Sequence, residues 1–443
     1  MAETINPHLS QDNERRFPQI KPLMNSSEAY YESSRCLFCY NAPCMLACPT
    51  AIDIPLFIRQ INNGNLAGAA NTIYQSNYLG NTCGKVCPTE VLCEGACVFT
   101  KANIRALDIG RLQNYATDNA IATNQKFFSP ASPNGRSVAV IGAGPAGIAC
   151  ACELRLAGYL VDVFEAKANP SGLALHGVAP YKITNREALM EVEFLRQQFG
   201  FNLIYNKRIA TQQDVEELEA KYNAIFLGIG LGNSAEIKIK GEDKGNCVGA
   251  TEFIEQIKTM PIVEPVAKNV IVLGGGNTAM DAASESVRLG AEKVIVAYRR
   301  SENEMKAYYF EYDLAKVTGV VGKFNIAPVE IMGENEVSGV KFIRTETING
   351  KLINIAGSEF VMDCDLVIKA TGQLKQTSMM ANIKGLNVDV TGRLMIDEET
   401  GQTSNPRYFA GGDAVNGGAE VVNAAAGGKL AGKGIHQFLS KLT

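Results

Sequence analysis

A glycine-rich turn between a strand and a helix occurs twice in this chain and constrains most of its fold. The two segments are Val140-Ile-Gly142-Ala-Gly144-Pro-Ala-Gly147 and Val270-Ile-Val-Leu-Gly274-Gly-Gly276-Asn-Thr-Ala279. In such a turn one glycine reverses the backbone, another lets it approach a pyrophosphate, and the last lets helix and strand pack closely. Strands alternate with helical segments around both turns, which predicts an α/β fold with two Rossmann-like domains. The second domain is expected to be inserted in the first, because another glycine-rich motif of the first domain's type returns near Gly411.

The first turn carries further marks of a dinucleotide site. Its next strand, Leu160–Phe164, ends in Glu165, at the distance where a carboxylate binds a ribose hydroxyl. Near the C-terminus, Tyr408-Phe-Ala-Gly-Gly412-Asp413 looks like the turn whose aspartate binds the flavin in two-dinucleotide flavoproteins. We therefore place FAD here. The candidate residues are Gly142, Gly144, Pro145, Ala146, Gly147, Glu165, Gly412 and Asp413.

The second turn is assigned to a nicotinamide dinucleotide. After the following strand, Arg299 and Arg300 stand where an NAD-specific site would more often have an acid. Arginine there accommodates a 2′-phosphate, so NADP is favoured over NAD. The alternative is a solvated basic turn, because Glu302 and Glu304 dilute the charge. The candidate residues are Gly274, Gly275, Gly276, Asn277, Thr278, Arg299, Arg300 and Lys306, with Thr371 and Gly372 at the return to the flavin domain.

Eight of the twelve cysteines lie between Cys36 and Cys97. They begin with the pattern C-x2-C-x4-C-x3-C-P, which is close to runs that hold [4Fe–4S] clusters. Disulfides suit small secreted domains, and zinc sites favour paired C-x2-C motifs, often with histidine. Free core thiols are the third alternative. From these residues alone we predict two clusters and count Cys83 as a ligand. We expect Cys150, Cys152, Cys247 and Cys364 to be buried, inert thiols.

Net charge, apolar run length and a proline-containing linker limit the class of protein and the positions of its domain boundaries. A net charge of −4 gives no support for binding nucleic acid or an anionic membrane. We find no apolar run of membrane-spanning length and no signal peptide, so we expect a cytoplasmic protein. A polar, proline-containing stretch at 124–135 is typical of a linker. We predict a helical cluster domain at 1–125, a flavin domain at 136–262 and 371–443, and a nicotinamide domain at 263–370.

The order of these motifs resembles the family that contains the glutamate synthase small subunit and the N-terminal half of dihydropyrimidine dehydrogenase. The resemblance implies that Cys83 is not a ligand, and that Gly172 and Leu173 contact the flavin. It assigns one cluster to Cys36, Cys39, Cys44 and Cys97. It assigns the other cluster to Cys48, Cys87, Cys93 and the side-chain amide of Gln113.

Three segments look more like the separate flavoprotein subunit of bacterial dihydropyrimidine dehydrogenase. They are Ser33–Cys39, Gly172–Lys182 and Asn416–Asn423. The resemblance implies that NAD(P)H reduces FAD and that two clusters pass single electrons to an FMN-bearing partner, which reduces uracil or thymine. The cofactors carry this chemistry, so we nominate no catalytic side chain, and we expect Asp281 and Glu311 to be helix-surface or binding residues.

Two other functions compete. One is the glutamate synthase small subunit or a related NADPH:ferredoxin-type oxidoreductase. The other is a structural electron-relay subunit with an idle nicotinamide site. The intact glycines at 274–276 and the arginine pair count against the second of these.

Overall fold

The N-terminal region is helical in a computed structural model that describes residues 16–260 and 266–442. Helix α1 begins with a capping box between Asn25 and Glu28, and α3 begins after Asp53 with Pro55 in its first turn. Apolar side chains such as Phe57, Ile73 and Leu112 form the core of the region. The helices are α1 Ser26–Ser34, α2 Pro43–Leu46, α3 Ile54–Asn62, α4 Leu66–Ser76, α5 Gly80–Val86, α6 Val98–Lys101 and α7 Ile109–Ala122.

A first parallel sheet follows the linker. Its strands are β1 Ser137–Ile141, β2 Leu160–Phe164, β3 Asn202–Ile204, β4 Ala224–Leu227 and, from the C-terminal part of the chain, β14 Tyr408–Ala410. Their order is β14-β4-β1-β2-β3, and every pair is parallel. The helices of this region are α8 Pro145–Leu156, α9 Leu173–His176, α10 Asn185–Phe199, α11 Gln212–Lys221, α15 Thr377–Met380, α16 Asp413–Asn416 and α17 Val421–Ser440.

A second parallel sheet has the order β5-β13-β6-β7-β8. Its strands are β5 Cys247–Gly249, β6 Asn269–Leu273, β7 Lys293–Tyr298, β8 Val321–Phe324 and β13 Leu366–Lys369. Its helices are α12 Ala250–Thr259, α13 Asn277–Arg288 and α14 Tyr309–Thr318, with a 3-10 turn at Glu302–Glu304. A small antiparallel sheet extends from it and contains β9 Ile326–Met332, β10 Gly339–Ile348, β11 Lys351–Asn354 and β12 Phe360–Asp363.

The insertion predicted from the motif near Gly411 is confirmed by strand order. Strand β14 pairs with β4, so the chain returns to the first sheet after it has completed the second. The predicted boundary between residues 262 and 263 lies outside the described residues, as do residues 1–15 and Thr443. Strand β5 precedes that boundary and pairs with β13, so the second sheet also includes chain that the sequence analysis assigned to the flavin domain.

The terminal helix α17 packs closely on α8. A side chain at Gly428 would place its Cβ 2.0 Å from the carbonyl oxygen of Ala146, and one at Gly432 would meet the side chain of Glu153 at 2.8 Å. Glycine therefore permits a backbone approach that larger residues prevent. Within the described part of the chain, no helix has the length and apolar character needed to cross a membrane.

Candidate functional site

The first glycine turn joins β1 to α8 and has the geometry of a pyrophosphate-binding loop. Gly142 has φ +99°, and a Cβ there would lie 2.4 Å from the carbonyl oxygen of Gly228. Gly147 approaches the carbonyl oxygen of Gly142, where a Cβ would lie at 1.9 Å. Gly144 is open apart from Gly172, and Pro145 begins α8. The free amides at the start of α8 suit an anion.

Two acidic residues, Glu165 and Asp413, lie beside this turn. Glu165 accepts a hydrogen bond from the backbone N–H of Ala143, at 2.9 Å, so its carboxylate lies against the turn. Asp413 begins α16, and Oδ1 accepts the backbone N–H of Ala419 at 3.2 Å. Burial raises the pKa of Asp413. Gly412, with φ +72°, approaches Ala146, and Leu173 begins α9 directly after Gly172.

The second glycine turn joins β6 to α13. A Cβ at Gly274 would lie 2.3 Å from the carbonyl oxygen of Ala370, whereas one at Gly276 would meet nothing within 4 Å. Gly276 is the N-cap of α13, so its open face meets the free amides of the helix. Asn277 accepts a hydrogen bond from the backbone N–H of Tyr308 at 2.9 Å, and Thr278 lies in the first turn of the helix. These residues fit a second pyrophosphate.

The basic residues lie at the end of β7, beside this turn. Arg299 is exposed, and Arg300 is half-buried with its guanidinium 3.5 Å from Glu304. The backbone N–H of Lys306 donates to the carbonyl oxygen of Gly275 at 3.0 Å, so the lysine is tied to the glycine turn itself. Thr371 and Gly372 follow β13 and are exposed.

The first predicted cysteine group lines one cavity. Its walls include Cys36, Cys39, Cys44 and Cys97 together with apolar side chains such as Ile54 and Phe99. Burial, followed by the neighbouring Cys97 and Cys36, raises the pKa of Cys44 to about 12. A thiolate is therefore unfavourable at Cys44 without a cationic partner, which a cluster iron would supply.

The second group gathers around α5 and the loop after it. The pKa of Cys93 is raised well above its ordinary value, first by burial and then by neighbours that include Cys87 and Cys48. Gln113 donates from Nε2 to the carbonyl oxygen of Gly80 at 2.7 Å, which turns its amide towards α5. Cys83 also lies on this helix, and its hydrogen bond to Cys87 is the first cause of the raised pKa of Cys87.

Neither cysteine group resembles a site for a single ion. Among residues 16–260 and 266–442, no three histidine, cysteine or acidic side chains are arranged to hold one metal ion. A [4Fe–4S] cluster is held by four thiolates around a larger core, so its ligands surround a wider space. Of the four remaining thiols, Cys150, Cys152 and Cys364 are buried as expected, and Cys247 is half-buried.

A buried charge network joins the flavin and nicotinamide regions. Lys182, just after α9, lies 2.8 Å from Asp281 on α13 and 2.6 Å from Glu311 on α14, and Tyr181 donates to Asp281 at 2.6 Å. Burial alone would lower the pKa of Lys182, but the two carboxylates raise it. Our expectation that Asp281 and Glu311 lie on helix surfaces is wrong, because they are only 6% and 7% exposed.

Further polar contacts place the cysteine region beside the boundary between the flavin and nicotinamide regions. Tyr308 donates to Glu420, the N-cap of α17, at 2.9 Å. Glu420 and Lys21 are both close enough to Cys87 to affect its pKa. Lys21 donates to the carbonyl oxygen of Cys87 at 2.8 Å. Sequence patterns did not indicate these contacts, since no motif marks Tyr308 or Lys21, and the segment that contains Glu420 does not identify its partners.

Comparison with known proteins shows the family to which the chain belongs. A family profile described as pyridine nucleotide-disulphide oxidoreductase matches residues 136–428, about two thirds of the chain. The chain belongs to this oxidoreductase family. A second profile, described as dihydropyrimidine dehydrogenase domain II with a 4Fe-4S cluster, matches residues 13–125. The protein is thus an NAD(P)H-dependent oxidoreductase that uses FAD and iron–sulfur clusters.

Two relatives of this oxidoreductase extend over nearly the whole chain. The glutamate synthase [NADPH] small chain of Escherichia coli (strain K12) is 34% identical and covers 96% of this chain and 94% of its own length. The NAD-dependent dihydropyrimidine dehydrogenase subunit PreT of the same organism is 31% identical, with 95% and 97% covered. Both names describe components of larger enzymes.

A solved structure confirms the fold of the oxidoreductase part. Mycobacterium tuberculosis FprA in complex with NADPH superposes with a TM-score of 0.58 at 18% identity, covering 69% of this chain and 85% of its own. The similarity shows the two-domain dinucleotide-binding fold.

Proposed function

We propose that this oxidoreductase is the electron-input subunit of a dihydropyrimidine dehydrogenase. In the proposed reaction FAD accepts hydride from NAD(P)H, and two [4Fe–4S] clusters carry single electrons to an FMN-bearing partner that reduces uracil or thymine to the 5,6-dihydropyrimidine. We also propose a cytoplasmic location, in keeping with a protein that needs reduced cysteines.

The observation that carries the proposal is the position of Cys87. The negative charge of Glu420 is one of the causes that raise the pKa of Cys87, and Glu420 caps α17 beside the flavin turn. Tyr308 of the nicotinamide region donates to the same Glu420 at 2.9 Å. One side chain thus links the regions proposed for nicotinamide, flavin and cluster. An electron path from hydride donor to cluster requires this proximity.

The residue assignments follow the same proposal. Glu165, Asp413 and the first glycine turn would bind FAD, and the second turn with Arg299, Arg300 and Lys306 would bind NADP or NAD. Cys36, Cys39, Cys44 and Cys97 would hold one cluster. Cys48, Cys87, Cys93 and the amide oxygen of Gln113 would hold the other, with Cys83 beside it. The dihydropyrimidine acceptor is favoured by the profile that matches residues 13–125.

A second candidate is the small subunit of glutamate synthase. It is favoured by the 34% identity to the Escherichia coli small chain, against 31% for the PreT subunit. The two candidates share every assignment within this chain and differ only in the partner.

Anaerobic affinity purification from native cells tests the choice. We expect an FMN-containing protein to co-purify stoichiometrically, and the mixture to reduce uracil with NADPH or NADH. A large glutaminase-bearing partner would instead identify glutamate synthesis. Purification of the chain alone, with active reduction of an artificial one-electron acceptor, would refute the requirement for a stable partner.

A further inference from the structure

Lys258 on α12 is a buried lysine whose amino group binds backbone oxygens. It is 1% exposed, and Nζ donates to the carbonyl oxygens of Ala174 at 3.0 Å, Val178 at 3.0 Å and Ile183 at 3.3 Å. Within the described residues no carboxylate lies within ion-pair distance of its ammonium group. A buried charge without an ion-pair partner is costly, so these three bonds must offset a large desolvation cost.

All three oxygens belong to residues 172–183, which we call the connecting segment. At its start, Gly172 touches the flavin turn, since a Cβ there would lie 2.9 Å from the Cα of Gly144. At its end, Tyr181 and Lys182 bind Asp281 on α13, the helix that opens at the nicotinamide turn. The connecting segment is therefore a direct physical link between the two dinucleotide-binding turns, and Lys258 holds its middle.

Helix α12 contacts the connecting segment and its neighbours at two further points. Glu255 lies 3.0 Å from Nδ1 of His176 and also pairs with Lys167, which follows strand β2 of the first sheet. Asn185, the first residue of α10, donates to the carbonyl oxygen of Lys258. Helix α12 itself follows β5, a strand of the second sheet. The helix therefore attaches a flavin-side segment to the nicotinamide-side sheet.

The charges around Lys258 fit a role in binding the carbonyl oxygens of the connecting segment rather than in an ion pair with a carboxylate. Burial lowers the pKa of Lys258 to about 7, and the carboxylates of Glu285, Glu187 and Asp281 oppose that shift from a distance. A neutral amine has only two N–H donors for three oxygens, so the grip is complete only when the lysine is protonated.

We propose that Lys258 is a positioning residue for hydride transfer. Through three bonds to the connecting segment it sets the placement of the nicotinamide turn relative to the flavin turn. This inference rests on the proposed use of those turns for NAD(P)H and FAD, and it is independent of which partner receives the electrons.

The test compares Lys258→Met with wild type in the full-length, anaerobically purified protein. We expect the limiting rate of flavin bleaching by NADPH to fall by about ten- to a hundredfold, because a misplacement near 1 Å is enough for such a loss. FAD content and the dissociation constant for NADPH should stay within about twofold, since each turn remains intact. The matched control is Lys268→Met, an exposed lysine 3.5 Å from Glu292, which should leave the rate unchanged.

Lys258→Gln, which keeps two donors, provides the second variant and should give an intermediate rate. Unchanged bleaching rates in both variants would overturn the proposal. So would a loss of rate that merely follows loss of bound FAD, because that result indicates a general structural role. If wild-type flavin is not bleached by NADPH or NADH, both this inference and the proposed function fail. If only co-purification of a partner fails, the role of Lys258 stands.

Discussion

Two charged side chains lie at the proposed nicotinamide site and at the contact between the cysteine region and the flavin region. At the end of β7, Arg299 is exposed and available to a ligand, whereas Arg300 is partly engaged by Glu304. Deeper in the molecule, Glu191 on α10 accepts the backbone N–H groups of Asn81 at 2.6 Å and Thr82 at 2.8 Å. It thereby caps α5 from the flavin region. Arg299 is thus proposed to contact the nicotinamide dinucleotide, and Glu191 attaches the cysteine region to the flavin region.

Replacement of Arg299 by alanine should lower kcat/KM for NADPH far more than kcat/KM for NADH. A charge-assisted bond to the 2′-phosphate contributes about 1.5–3 kcal/mol, which corresponds to roughly ten- to a hundredfold in kcat/KM. Steady-state rates with both nucleotides, measured with an artificial acceptor, check this. Equal losses with NADPH and NADH would contradict a 2′-phosphate contact, and Lys268→Ala serves as the surface control.

Stability should fall with rising pH because of Glu191. Burial raises the pKa of Glu191 to about 7 although its hydrogen bonds from Thr82 and Asn81 oppose the shift. The folded state therefore binds more protons than the unfolded state between the ordinary pKa of glutamate and pH 7, so stability is lost as pH rises through that window. We expect Glu191→Gln to lose this decline, which amounts to about 3 kcal/mol at most.

Urea unfolding midpoints at pH 5 and pH 8 measure the effect. Glu193→Gln is the matched control on the same helix, because the hydrogen bond of exposed Glu193 to Arg196 lowers its pKa. The control should retain the wild-type decline between the two pH values. If the unfolding midpoint falls equally in wild type and in Glu191→Gln, the protonation of Glu191 does not cause the loss of stability between pH 5 and pH 8.

At the scale of elements, close approach of helices and turns shapes the cofactor sites. Helix α17 reaches α8 through Gly428, and the contact falls on Ala146 inside the flavin turn. The second turn differs, because Gly276, at the N-cap of α13, faces open space. Glycine thus has two distinct uses here: one admits protein backbone, and the other leaves room for a ligand.

Alanine substitutions should separate these two uses. Gly428→Ala places a methyl group 2.0 Å from the oxygen of Ala146, so α17 must move and FAD should be lost. Gly276→Ala meets no protein atom and should keep FAD, but its methyl group should obstruct the phosphates of NADPH. Flavin absorbance per protein and NADPH titration give the two readouts. Retention of FAD in Gly428→Ala would show that the helix contact is dispensable.

At the scale of the whole molecule, the cysteine region forms the proposed exit for electrons. The group around Cys44 lines its own cavity, and the group around Cys87 lies beside the flavin region. We expect Cys44→Ser to lose about half of the iron, on the basis of two four-iron clusters, while NADPH still bleaches the flavin. Transfer to a one-electron acceptor should fall sharply.

Iron analysis and stopped-flow absorbance test this separation. Cys364→Ser alters a buried thiol of the second sheet region and should change neither iron content nor rate. Full iron content in Cys44→Ser would remove Cys44 from the ligand set.

Much of this architecture follows from local patterns. The strands and helices around Gly142 and Gly274 form as predicted, and the caps of α1 and α3 lie within a few residues of the helices that they begin. The reason is that a turn, a cap or an amphipathic period is encoded within a few neighbouring residues. The place of β5 in the second sheet was not predictable in this way, because three residues pair with a strand more than a hundred positions away.

Local residue patterns thus specify the two dinucleotide folds, the insertion of one in the other, and the cysteine-rich helical region with its candidate ligands. Which charged residues are buried together depends instead on the packing of elements that are distant in the chain. Lys182 meets Glu311 across 129 positions, and Lys258 meets Ala174 across 84. The residues next to a lysine or glutamate in a helix do not reveal whether its side chain is exposed to solvent or buried between two domains. Its environment is created only when separate elements pack against one another, since burial and partner distance set its charge state.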